Sequence, residues 1–239
     1  MEQLFVSIAV PQFEETIITA GKFNSPFGVE PRNFWDRVSG SRSLLFQTQP
    51  QDLVGLMASH RIANTNLILR AMLVNGYFSD TGLDNNEQPS AAFMLEYLPS
   101  DDLSIAGTYW YGPEFDKQVG EKLHFVNAQI IWFMIDRFLL AGECQHASTD
   151  SPTGVLDRRG FLALANYDLS ETFRCFVQWS LLNDRDGFQT GTAEKTEEIN
   201  VGFGWYLHPQ VEVPSEYRHD YRPVRGDRDH WDAHLTFGF

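Results

Sequence analysis

The sequence predicts an all-β protein, an antiparallel up-and-down transmembrane β-barrel with about 12–14 strands in this chain. Three observations carry that expectation. Apolar and polar residues alternate with period two along most of the chain, short and long connections alternate between the segments, and the last segment alternates up to a terminal Phe239.

The alternation is plain in Phe173-Arg174-Cys175-Phe176-Val177-Gln178-Trp179-Ser180-Leu181, where odd positions are apolar and even ones mostly polar. Glu198 to Trp205 repeats it, and Trp231, Ala233, Leu235, Phe237 and Phe239 alternate with Asp232, His234, Thr236 and Gly238. Successive strand side chains point to opposite faces, so each segment has one apolar and one polar face. About thirteen such segments are expected, starting near Leu4, Glu15, Asp52, Asn66, Ser90, Asp102, Lys122, Arg137, Asp157, Thr172, Glu197, Val211 and His230. Short turns are expected at Pro11-Gln12-Phe13, Ala63-Asn64-Thr65, Pro99-Ser100-Asp101, Ile135-Asp136, Leu169-Ser170-Glu171 and His208-Pro209-Gln210. Longer loops are expected from Asn24 to Gln51, Asp80 to Pro89, Gly112 to Glu121, Thr149 to Leu156, Asp184 to Thr196 and Pro223 to Asp229. One up-and-down domain over residues 1–239 follows, with two unlike rims.

Composition narrows the function classes. The 239 residues are 43% hydrophobic and 14% aromatic, too apolar for a disordered chain. With 18 Lys+Arg against 32 Asp+Glu the net charge is -14, which repels phosphate backbones, so nucleic acid is not an expected partner. Two cysteines, Cys144 and Cys175, make neither a disulfide scaffold nor a thiolate metal site. They fall on strands separated by one other, near 10 Å apart, beyond disulfide reach.

A soluble barrel or sandwich would bury the apolar face, whereas a transmembrane barrel turns it to lipid around a polar lumen. About a dozen strands enclose too wide an interior for side chains to fill, which favours the membrane alternative. Tyr97, Tyr109, Tyr111, Trp132, Tyr167, Trp179, Trp205, Tyr217 and Trp231, near segment ends on the apolar face, fit interfacial girdles. Trp231, Leu235, Phe237 and Phe239 have the form of an assembly signal for outer-membrane barrels.

Particular motifs go further. Ala20-Gly21-Lys22-Phe23-Asn24-Ser25-Pro26-Phe27-Gly28-Val29-Glu30 and Ser41-Arg42-Ser43-Leu44-Leu45-Phe46 resemble a β-barrel porin family of Gram-negative bacteria, the OmpL-like group. Val74-Asn75-Gly76-Tyr77, the stretch Asp184 to Gly191, Glu216-Tyr217-Arg218-His219-Asp220 and the closing Phe239 match in the same order. The resemblance implies an outer-membrane porin that uses the barrel-insertion machinery. Family members carry a signal peptide and further strands ahead of the part resembling Leu4 to Val10. The chain is therefore expected to be an N-terminally truncated piece of a larger barrel. An odd strand count agrees, since bacterial single-chain barrels have even numbers. Pro214 lies within a strand, where its missing N–H predicts a local bulge.

No catalytic, metal or cofactor site is expected. His230 and His234 share a strand face roughly 13 Å apart, too far to chelate one ion together. Asp227, Asp229 and Asp232 offer calcium at best weak oxygen ligands near a rim. Ser180, His146 and Asp184 have no activating context for nucleophilic catalysis. Function is expected on the polar face instead, at Arg70, Glu96, Asn127, Gln129, Glu143, Gln145, Asn166, Arg174, Gln178, Glu198, Asn200, Glu216, Arg218 and Asp220. The long loop at 24–51 is expected either to fold inward as a constriction or to cap a rim. Its Arg32, Arg37 and Arg42 would face Glu96, Glu143 and Glu198 in a constriction.

The expected function is a passive outer-membrane channel for small hydrophilic solutes or ions, with lipid, the insertion machinery and the solutes as partners. A non-conducting structural or adhesive barrel is one alternative, its lumen blocked by paired Arg and Glu. A soluble carrier of an apolar ligand is the other.

Overall fold

The computed structural model describes residues 3–31, 38–77, 88–114, 122–151, 154–187, 193–208 and 210–237. Arg32, Arg37 and Phe239 lie outside the described residues. The first strands are β1 (Leu4–Ala9), β2 (Thr16–Asn24), β3 (Asp52–Arg61), β4 (Leu67–Val74), β5 (Ser90–Ser100), β6 (Leu103–Pro113) and β7 (Lys122–Ile135). They continue as β8 (Phe138–Ser151), β9 (Gly154–Ser170), β10 (Phe173–Asp184), β11 (Glu194–His208), β12 (Val211–Tyr221), β13 (Arg228–Ala233) and β14 (Thr236–Phe237). Neighbours in sequence are neighbours in the sheet from β1 to β13, and β14 pairs with β12.

Local chemistry sets the hairpins. Between β3 and β4, Ile62 N–H bonds the Leu67 carbonyl at 2.9 Å and Thr65 N–H bonds Ile62 at 3.1 Å, with Asn64 at φ 60°. Asn is among the few non-glycine residues that adopt this left-handed conformation readily. Two residues, Asp101 and Asp102, separate the paired Ser100 and Leu103 of the β5–β6 hairpin. In the Ala20-Gly21-Lys22 motif, Gly21 has φ 126°, and a Cβ there would lie 2.3 Å from the Leu4 carbonyl oxygen. Only glycine lets β1 approach β2 this closely.

Faces alternate as period two requires, with the apolar set outermost. On β10, Val177 and Trp179 are 44% and 39% exposed, while Gln178 and Ser180 between them are 1% and 0% exposed. Val177 sits between Ala165 of β9 and Val201 of β11, in the middle of its ladder. A soluble carrier would bury the face that is exposed here.

Three expectations are corrected. The loop expected from Thr149 to Leu156 is mostly strand, since β8 runs to Ser151 and β9 starts at Gly154. The short/long alternation therefore fails here, since only two positions separate the two strands. Pro214 makes no bulge: it stays in register opposite Gly204, and the β11–β12 irregularity falls between Tyr206 and His208. The effect of Pro214 appears on its other side, at the last segment, which is not continuous. Ser215 pairs with Ala233 and Glu212 with Thr236 in one register, so the break at His234-Leu235 lies beside Val213-Pro214. His234 N–H reaches the Pro214 carbonyl at 3.3 Å, and proline has no N–H with which to return the bond.

The residues group into two compact units, Met1–Phe27, Gln49–Ala128 and Gln145–Asp157 in one, Gly28–Thr48, Gln129–Cys144 and Arg158–Phe239 in the other. The buried face of the first unit is more apolar than a uniformly polar lumen would require. Leu53, Met72, Met94, Trp110, Leu123 and Phe125 form a cluster there. Phe27 and Tyr77 meet Trp110 edge-on at 6.2 and 5.6 Å, so chain outside the strands folds over this face and makes it a core. Buried Glu114 fastens it, accepting Tyr77 N–H and Ser90 Oγ–H at 2.6 Å and Trp110 Nε1–H at 3.1 Å. In the second unit Leu44, Leu45, Leu162, Leu164, Phe176 and Leu182 cluster, but the buried face is otherwise largely polar.

If the exposed face lies in lipid, Val177→Arg should cost about 2–4 kcal/mol near the bilayer midplane. Val177→Leu should be close to neutral. Unfolding from lipid vesicles measures both, and an Arg cost near zero would place this face outside lipid.

Candidate functional site

The charged side chains of the second unit converge on the buried face of β8–β12, and the described residues of the loop, 28–31 and 38–48, lie across them. On β12, Glu216, Arg218 and Asp220 take the buried face. Arg218 pairs with Glu198 of β11 at 2.7 Å and with Asp220 at 2.6 Å, and its Nη1 donates to the Arg42 carbonyl at 3.0 Å. Asp220 also pairs with Arg222. Glu216 accepts Gly40 N–H at 2.9 Å, Ser39 Oγ–H at 3.1 Å and the Asn200 side-chain amide at 3.2 Å. Asn200 further donates to Ser39 Oγ at 2.7 Å and Ser41 Oγ at 3.0 Å.

The loop is held at two further places and by itself. Val29 N–H donates to Glu143 of β8 at 3.0 Å, and Arg158 of β9 donates to the Thr48 carbonyl at 2.7 Å. Within the loop, Glu30 accepts Ser43 N–H at 3.2 Å and also the Ser43 hydroxyl. Of the two placements expected for this loop, the described residues show it folded onto the polar face. A polar cleft of about 370 Å³ remains beside it, lined by Ser41, Glu216, Arg218, Asp220, Arg222 and Asp232 among others.

Burial explains why these charges come paired. An isolated ion out of water costs several kcal/mol, so each guanidinium here meets carboxylates. Arg174 pairs with Glu212 at 2.7 Å and stacks 5.5 Å from the centre of the Tyr206 ring. Gln178 donates to Glu198 at 3.4 Å. Carboxylates holding backbone amides make charge-assisted bonds, stronger than bonds between neutral groups.

The remaining sequence-predicted residues are placed as follows. In the first unit Arg70 pairs with Glu96 at 2.8 Å, and Ser104 donates to the same carboxylate at 3.0 Å. Asn127 and Gln145 are buried in that unit, and Gln129 in the second. Arg42 places its guanidinium 4.4 Å over the Phe46 ring. Trp231 and Leu235 are exposed, and Phe237 pairs with Val211. Cys144 and Cys175 are free thiols. Asp229 bonds the Tyr217 hydroxyl at 2.5 Å and His219 Nδ1 at 2.8 Å on the exposed face.

Sequence reasoning missed Glu30, Ser39, Gly40, Glu114, Arg158 and Glu212. Glu30 and Ser43 stood in the quoted motifs, and Arg158 lies on the alternating buried face of β9. Their partners could not be read, because the bonds join positions as far apart as Ser39 and Glu216.

Glu216→Ala should leave Gly40 N–H and the Asn200 amide short of an acceptor, at about 1–3 kcal/mol. Amide exchange at Gly40 should then quicken about tenfold or more in that variant. Glu15→Ala, which removes only an exposed partner 3.9 Å from Arg61, should leave Gly40 exchange unchanged. Equal exchange in both variants would show that Glu216 does not hold the loop.

No curated protein matches the chain. Solved structures do, at identities that speak for fold alone. The anion-selective porin of Comamonas acidovorans shares 8% identity with TM-score 0.69, over 99% of this chain and 74% of that one. The loop L8 deletion mutant of OmpT, an outer membrane protein of Vibrio cholerae, shares 11% with TM-score 0.66, over 99% and 79%. Pseudomonas aeruginosa OccK5 (OpdH) shares 15% with TM-score 0.59, over 99% and 70%. The all-β up-and-down sheet, with apolar face exposed and polar face buried, is thus the fold of the outer-membrane β-barrels. The family model described as "Putative beta-barrel porin-2, OmpL-like" matches residues 1–239, and the chain belongs to that family.

Proposed function

We propose that the protein is a passive diffusion channel of the Gram-negative outer membrane, admitting small hydrophilic solutes or ions down their gradients. The observation that carries this reading is the polar buried face of β8–β12 with a loop fastened across it. In a barrel that face borders the lumen, and a loop held there narrows the passage without closing chemistry of any kind. The lining set is Arg42, Arg70, Glu96, Asn127, Gln129, Glu143, Arg174, Gln178, Glu198, Glu216 and Arg218, with Arg32 and Arg37 completing the loop's contribution.

The reading favours cations. Arg174, Arg218 and Arg222 are matched by Glu212, Glu198 and Asp220, whereas Glu216 accepts bonds from the neutral Gly40 N–H, Ser39 hydroxyl and Asn200 amide. Charge on the lining, more than the net -14 of the chain, sets the preference.

The non-conducting alternative is favoured by the apolar cluster around Trp110 in the first unit, which makes part of that buried face a packed core. Planar-bilayer recordings decide between them. A channel should give discrete conductance steps and a cation-side reversal potential in a potassium chloride gradient. Glu216→Gln should shift that potential toward the anion side. Silent bilayers from correctly folded protein would favour the structural or adhesive barrel.

The closing aromatic is proposed to serve recognition by the insertion machinery. One edge aromatic contributes only about 1.5–3 kcal/mol by burial, so deletion of Phe239 should slow assembly far more than it lowers folded stability. Unchanged outer-membrane levels of the deletion would count against that role.

A further inference from the structure

We infer that the polar cleft beside the loop is a binding site for small solutes carrying a primary ammonium group, held between Glu216 and Asp232. The site deepens the channel reading by naming a solute class, and rests on that reading for the solute's passage. Its volume of about 370 Å³ lies within the range of about 300–1,000 Å³ usual for small-molecule sites.

Register brings the two acidic side chains together. Glu216 of β12 and Asp232 of β13 are direct cross-strand partners. Side chains so placed have Cβ atoms about 4.5–5.5 Å apart, and like charges directly opposite one another repel. The cations of the cleft are engaged elsewhere. Arg218 meets Glu198 and Asp220, and Arg222 meets Asp220. Asp232 has one described partner, His234, whose Nδ1 lies 3.2 Å from Oδ2.

Glu216 is committed through one oxygen alone. Gly40 N–H, the Ser39 hydroxyl and the Asn200 amide all donate to Oε2. The loop can crowd onto that oxygen because Gly40 has no side chain: a Cβ there would lie 3.0 Å from His234 Cε1 and 3.3 Å from Oε2. Among the described residues nothing donates to Glu216 Oε1 or Asp232 Oδ1. Glu216 is only 5% exposed, and a largely buried acceptor gains more from a bound donor than an exposed one.

A primary ammonium answers both needs. It brings one positive charge and three N–H donors, matching in number the two open carboxylate oxygens and the Ser41 hydroxyl beside them. A divalent metal ion is served less well. Among the described residues no three His, Cys, Asp or Glu side chains are placed to hold one. A quaternary ammonium has the charge without the donors, and a neutral polyol has donors without the charge.

The test is saturation-transfer NMR on the full chain folded in dodecylmaltoside micelles, with ethanolamine, choline and ethylene glycol as probes. Near neutral pH ethanolamine and choline share a positive charge and a hydroxyl, but only ethanolamine carries N–H donors. Ethanolamine should bind about tenfold more tightly than choline, and ethylene glycol should give no saturable signal. Asp232→Asn keeps the shape of the site and should weaken ethanolamine about tenfold. Asp229→Asn removes the same charge from the other face of β13 and should leave the affinity unchanged. Equal binding of ethanolamine and choline would overturn the site. So would an Asp232→Asn variant that binds ethanolamine like the unaltered protein. Should that variant fail to fold, the ethanolamine–choline comparison on the unaltered protein decides alone. Silent bilayers with ethanolamine bound as expected would remove the channel and keep the site, whereas conduction without ethanolamine binding would do the reverse.

Discussion

The strands of the second unit satisfy one constraint most plainly: their exposed face is apolar and their buried face is largely polar. From β2 to β12 the hydrogen-bonding groups of the backbone are met by neighbouring strands on both sides, as a lipid surround demands. The side chains of the buried face have no such ladder. They need partners of their own, because an unmatched buried polar group costs about 1–3 kcal/mol and an unmatched charge more. The arginine–carboxylate pairs on β10–β12 are one answer. Arg218, placed between Glu198 and Asp220, makes a continuous set of them.

The loops supply the other answer, and one device recurs. Glu30, Glu114, Glu143 and Glu216 are buried carboxylates, and each accepts the backbone N–H of a residue outside the strands. Ser43, Tyr77, Val29 and Gly40 are the donors. A buried carboxylate, on a strand for Glu143 and Glu216, within the loop for Glu30 and just past β6 for Glu114, thus gives a loop amide the acceptor that it loses on leaving water, and the amide stabilises the buried charge in return. Three of the four amides lie within or between the motifs Ala20 to Glu30 and Ser41 to Phe46. The fourth closes the motif Val74-Asn75-Gly76-Tyr77. These motifs are the part of the fold that seats loops on the buried face.

Strands, faces and most turns were legible because period two is a local property, written in consecutive residues. Gln178 and Val177 announce opposite faces by adjacency alone. The reach of β8 to Ser151 and of β9 from Gly154 was not legible, since Pro-Thr-Gly marks both short turns and long loops. The gap in the last segment required the register that sets Pro214 beside His234, which sequence does not carry. The apolar buried face of the first unit was hidden for a related reason. Strands such as Leu123 to Val126 are apolar on both sides, and alternation then says nothing about which side is buried. The loop clamp was least legible of all. Glu216 stood in a quoted motif, but nothing in the sequence joins it to Ser39 until the fold brings them together.

Tryptophan quenching by lipids with brominated acyl chains tests the central claim, the inverted polarity of the sheet, most directly. Single-tryptophan variants retaining Trp179 or Trp110 would be folded into vesicles with and without the bromine. Trp179 is 39% exposed on the apolar face, and Trp110 is fully buried on the other. The account predicts strong quenching of Trp179 and little of Trp110. Quenching of Trp110 alone, or of neither, would contradict it.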